Sequence, residues 1–124
     1  MLFSFLEYFM LIERFEEIVA WKKAKELTLE VYKLFEYSKD FGFKDQIQRA
    51  SISIMNNIAE GFERGTNKQF QYFLYVAKGS CAEVRSMLII AKDLGRITAT
   101  SFQFLFGLTE EISKTIAGLL RSIK

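Results

Sequence analysis

Residues 51–70 read SISIMNNIAEGFERGTNKQF, with isoleucines set against serines and asparagines, then a glutamate, then two glycines. The polar residues are either a working site or the wet side of a helix. Set at 100° per residue, Phe43, Ile47, Ala50, Ile54, Ile58 and Gly61 fall in one band. Ile52, Met55, Ala59 and Phe62 widen it to an apolar arc of roughly 200°. Asp45, Gln46, Arg49, Ser53, Asn56, Asn57, Glu60, Glu63 and Arg64 fill the remaining arc. The punctuation is therefore one continuous polar face, which either meets solvent or meets a partner. Its regularity favours solvent. Glu60 and Arg64, four apart, are in the favourable order for an exposed ion pair. An arc this wide touches neighbours on two sides, whereas an outer bundle helix usually buries a narrower stripe.

The same stretch also ends one helix and starts the next. Gly65 suits a left-handed stop after the helix. Thr66 and Gln69 form T-x-x-Q, a capping-box pattern. Working outward, breaks are expected at Asp40-Phe41-Gly42, Gly65-Thr66 and Gly95-Arg96. They leave helices at about residues 15–38, 43–64, 67–94 and 98–123. Thr100 with Gln103 is the expected cap of the last helix, and Arg121 and Lys124 suit its dipole. Four long helices with short loops predict an all-α, antiparallel up-down-up-down four-helix bundle over residues 15–124. Residues 1–14 form an N-terminal extension. MLFSFLEYFMLI is apolar but lacks a basic lead, contains Glu7 and is shorter than a membrane span of ~20 residues. No membrane role is expected, and Met10 is an alternative start.

The first helix carries Ile18, Trp21, Ala24, Thr28, Val31 and Phe35 at three- and four-residue steps, an amphipathic pattern. The third, NKQFQYFLYVAKGSCAEVRSMLIIAKDL, is apolar on two sides. One stripe runs through Phe70, Phe73, Leu74, Ala77, Cys81, Val84, Leu88 and Ala91. The other runs through Tyr72, Val76, Gly79, Met87, Ile90 and Leu94, with Glu83 among them. In a chain of 124 residues a helix apolar on both faces is expected to be shared with another subunit. Tyr72, Val76, Gly79, Glu83, Met87 and Ile90 are the expected subunit interface. Gly79 costs roughly 1 kcal/mol against alanine, which close packing of another backbone would offset. Phe102, Phe104 and Phe106 cannot all face one core and also point to a subunit contact.

Composition excludes more than it proves. The chain has no histidine, which removes the commonest general base and zinc ligand. Its single cysteine, Cys81, permits no internal disulfide and is read as a small buried hydrophobe in a reducing cytoplasm. No nucleophile elbow, phosphate loop or metal-ligand cluster is present. A carboxylate-only site built on Glu60 and Glu83 has no supporting geometry. No enzyme, cofactor or metal is expected. Net charge is only +2, so bulk charge does not argue for nucleic acid. However, Lys78, Arg85 and Lys92 recur every seven residues on a strip between the two apolar stripes of the third helix, with Arg96 near the same line. Lys78 to Lys92 spans ~21 Å, enough to meet several phosphates. Arg49 and Arg64 on the second helix could contribute. The bland alternative is a solvated strip that keeps the helix soluble.

Four runs carry a family resemblance: RFEEIVAWKKA at 14–24, S-I-x-x-N-I-A-E-G-F-E-R-G at 53–65, F-L-Y-V-A-K-G-S-x-A-E at 73–83, and E-I-S-K-x-x-x-G-L-L-R-S-I-K at 111–124. The chain resembles the bacterial four-helix-bundle family encoded in intervening sequences of large-subunit ribosomal RNA genes, often labelled ribosomal protein-like. That family is similar in fold to the accessory variability determinant of diversity-generating retroelements, a homopentamer that binds nucleic acid and a reverse transcriptase. The resemblance implies a non-catalytic homo-oligomer, a pentamer as in the retroelement protein, acting as an RNA- or DNA-associated adaptor, with a protein partner such as a reverse transcriptase. The alternative is a protein-interaction scaffold with no nucleic-acid role. The chain departs from many relatives at Met55, where they carry proline, and at Arg85, where they carry an acidic residue.

Overall fold

A computed structural model describes residues 11–123; the expectations for residues 1–10 and for Lys124 lie outside that range. A 3-10 turn, Phe15–Glu17, leads into four helices: α1 Val19–Leu34, α2 Phe41–Glu63, α3 Asn67–Asp93 and α4 Ala99–Ser122. There is no strand among the described residues. Each helix packs on the next in the chain, and α4 returns to α1. Between α2 and α3, Gln46 meets Glu83, Ser53 meets Ser80, and Gly61 meets Phe73. The partners descend along α3 as they climb along α2.

The helices form where apolar spacing and caps agree. Asp40 caps α2 by accepting from the Phe43 amide at 3.2 Å. Phe41 and Gly42, expected in a break, therefore lie in the first turn of α2. Gly65 and Gly95 take positive φ, 83° and 70°, and stop α2 and α3. Thr66 caps α3 by accepting from the Gln69 amide at 3.3 Å. The box closes differently from the pattern: the Thr66 hydroxyl donates to Gln69 Oε1 at 3.1 Å. The cap of α4 is Thr98, not Thr100. Its hydroxyl accepts from the Ser101 amide at 3.1 Å, and Ile97 just before it is buried. An anchored residue ahead of the cap fixes where the chain can turn into helix. The first helix is also shorter than expected, because residues 15–17 form the 3-10 turn and the chain after Leu34 turns away.

One core runs between the four helices. Ile18, Leu27, Val31, Ile47, Ile54, Ile58, Leu74, Val84, Leu88, Ile112 and Ile116 are fully buried. The wide arc of α2 faces both α1 and α3, as a helix apolar over such an arc must. At Gly61 α2 and α3 come close: a Cβ there would sit 2.6 Å from Phe73 Cβ. Around Gly79, by contrast, there is nothing within 4 Å. Of these two glycines, Gly61 is the one packed tightly within the chain. Cys81 is buried and its thiol donates to the Thr109 carbonyl at 3.2 Å. Burial pushes its pKa up to about 11.

Candidate nucleic-acid interface

The six candidate cations separate into two groups. Arg49 Nε pairs with Asp45 at 2.8 Å, Arg64 with Glu60 at 2.7 Å, and Arg96 with Asp40 at 2.9 Å. Arg64 also lies 5.1 Å from the Phe73 ring centre. Arg96 leaves the expected line, because α3 ends at Asp93 and Gly95 redirects the chain toward the α1–α2 connection. Lys78, Arg85 and Lys92 stay in line on α3 and have no carboxylate partner among the described residues.

Two of them, Arg85 and Lys92, flank α4. The Arg85 guanidinium sits 5.0 Å from the Phe106 ring centre, and Lys92 Nζ sits 4.5 Å from that of Phe102. The two rings pack on each other at 5.0 Å. Arg85 Nε is shielded from water and has no hydrogen-bond partner. Cation–π contact holds both side chains while leaving their charge unneutralised. Two of the three phenylalanines assigned to a subunit contact therefore serve within the chain; Phe104 remains exposed. The pairing was missed because it needs the register of α3 against α4, which neither helix encodes alone.

The second expected surface is the outward face of α3. Tyr72, Val76, Gly79, Glu83 and Ile90 are exposed, as is Leu94. Met87 is buried within the chain, at 8% exposure. Glu83 accepts from Gln46 Nε2 at 3.3 Å, and Ser53 and Ser80 share a hydrogen bond of 2.8 Å beside it. Glu60 lies fourteen residues from Gln46, ~21 Å along α2, so Glu60 and Glu83 share no site. Among the described residues no group of His, Cys, Asp or Glu comes together to hold a metal. No helix among them is long and apolar enough to cross a membrane. A separate cleft of about 640 Å³ opens at one end of the helices, lined by Phe35, Tyr37, Asp40, Phe43, Leu94 and Arg96.

A family model described as 23S rRNA-intervening sequence protein matches residues 16–118. The chain is also similar in structure to a protein of unknown function from the S23 ribosomal protein family of Bacteroides thetaiotaomicron VPI-5482, solved by crystallography at 1.70 Å. The TM-score is 0.78 at 23% identity, over 83% of this chain and 99% of the other. No curated protein matches the sequence. With the family pattern running through nearly all of α1 to α4, the chain belongs to the 23S rRNA-intervening sequence protein family.

Proposed function

We propose that this protein is a non-catalytic, antiparallel four-helix bundle that assembles as a homo-oligomer and acts as a nucleic-acid adaptor, with RNA the first candidate. The observation that carries the reading is the row Lys78, Arg85 and Lys92, unpaired by carboxylates and backed at two positions by α4 phenylalanines. Held cations lose less freedom when they meet phosphate, so they bind it at lower cost. Repeating the row around an oligomer would multiply its field. The exposed apolar side chains on the outward face of α3 support self-association, since patches of this kind mark interaction surfaces. The pentamer implied by the retroelement resemblance predicts a mass five times the 14.4 kDa of one chain. Sedimentation equilibrium reads that directly.

The adaptor reading is tested by anisotropy of a labelled structured RNA at about 50 and about 200 mM salt. Micromolar or tighter binding that falls steeply with salt is expected. No binding at the lower salt by folded oligomer overturns it. The exposed Tyr72, Val76 and Ile90 favour a second reading, a protein-interaction scaffold with no nucleic-acid role. A partner set that survives nuclease treatment in a pull-down supports that alternative.

A further inference from the structure

The cation row is part of a longer pattern. Tyr75, Lys78, Ala82, Arg85, Ile89 and Lys92 follow one another at steps of three and four residues along α3. On a helix such steps make one stripe that drifts only ~20° per seven residues. Cations alternate along it with uncharged side chains. Tyr75 is 65% exposed and Ile89 43%. Neither is covered by another helix, although each lies one turn from a cation. Arg85 and Lys92 are held from the α4 side by Phe106 and Phe102, which leaves the Tyr75–Ile89 side of the row open.

We propose that this stripe binds single-stranded nucleic acid, with phosphates on Lys78, Arg85 and Lys92 and unpaired bases against Tyr75, Ala82 and Ile89. The proposal rests on the nucleic-acid reading above and adds the strandedness. A duplex keeps its base faces stacked inside, so it would use the cations and leave the alternating apolar positions idle. An unpaired strand offers both a backbone for the cations and π-faces for the ring. Geometry points the same way. The three cations lie on a nearly straight line of ~21 Å. The backbone of a duplex winds through more than half a turn over that length, at ~34 Å per turn, and departs from such a line. A flexible single strand follows it.

The test compares an unstructured labelled oligonucleotide with a blunt duplex of the same length, using the full chain at about 50 mM salt. The single strand is expected to bind at least tenfold more tightly. Tyr75→Ser combined with Ile89→Ser is expected to weaken single-strand binding about tenfold or more and leave duplex binding unchanged. If that double variant changes its state of assembly, Tyr75→Leu keeps the bulk and loses the ring. Several-fold weaker single-strand binding by Tyr75→Leu upholds the proposal, and unchanged binding overturns it. Equal or tighter duplex binding also overturns it while leaving the adaptor reading intact. Failure of both nucleic acids to bind overturns the adaptor reading as well, and capture of an acidic amphipathic peptide instead would assign the stripe to a protein.

Discussion

Arg85 carries its guanidinium 5.0 Å from the ring centre of Phe106, with Nε shielded from water and unpaired. The ring orients the charge without cancelling it. Phe106→Leu keeps apolar bulk against α3 and removes the π-face. Nucleic-acid affinity is expected to fall about two- to fivefold, in line with a cation–π contact of ~0.5–1 kcal/mol. The thermal midpoint should move by only a few degrees. Unchanged affinity in an anisotropy titration would mean that the ring does not position Arg85.

Gly61 and Gly79, each inside a helix, should respond in opposite directions. Gly61→Ala places a methyl 2.6 Å from Phe73 Cβ, at a backbone-proximal atom with little room to move. A loss of roughly 1–3 kcal/mol in chemical denaturation is expected. Gly79→Ala meets nothing within 4 Å in its own chain. It should gain up to about 1 kcal/mol of helix propensity in a monomer. If the outward face of α3 is a tight subunit contact, the same change shifts sedimentation toward smaller species. Equal destabilisation by both variants without a change of mass would contradict the packing described.

Asp40 joins two connections. Oδ1 accepts from the Phe43 amide and Oδ2 from Arg96 Nη1. The amide first, and the guanidinium second, hold its carboxyl below the ordinary value of 3.8. A depressed carboxyl contributes fully above its unfolded value and loses that contribution as pH falls through the folded one. Wild type is therefore expected to exceed Asp40→Asn in stability by a constant margin above pH 3.8, shrinking below it. A margin that grows on acidification would contradict this sign. Denaturation series of the two proteins across that range supply the measurement.

Thr98 and Thr100 offer a sharp comparison at the start of α4. Only the Thr98 hydroxyl takes an amide of the first turn. Thr98→Ala should cost about 1 kcal/mol, and Thr100→Ala should stay within about half of that. The reverse order in urea midpoints would mean that the helix begins two residues later.

These residues also show what a reader of the sequence alone can reach. Gly65 and Thr66 announced the α2–α3 turn because left-handed backbone and amide capping each demand few residue types. Thr100 with Gln103 fits the capping-box pattern, yet the cap is Thr98, which no local pattern singles out. Ile97, just before that cap, is buried, and its burial depends on how the helices pack together. The core stripes of α2 and α3 were legible from periodicity. The partners of Arg85, Lys92 and Arg96 were not, because each comes from another element in a register that local pattern does not fix. Met87 shows the same limit: its wheel position lies at the edge of the outward stripe, and packing within the chain buries it.

Lys78, Arg85 and Lys92 are expected to meet phosphate. The most direct measurement is the salt dependence of nucleic-acid binding by wild type and by the Lys78→Gln, Arg85→Gln, Lys92→Gln triple variant, with circular dichroism showing both folded. Each phosphate contact contributes about 0.7–0.9 to the slope of log affinity against log salt. The triple variant is expected to bind more weakly across sequences, with a slope shallower by about two to three per binding chain. Identical affinity and slope in the two proteins would remove the α3 row from the interface and contradict the central claim.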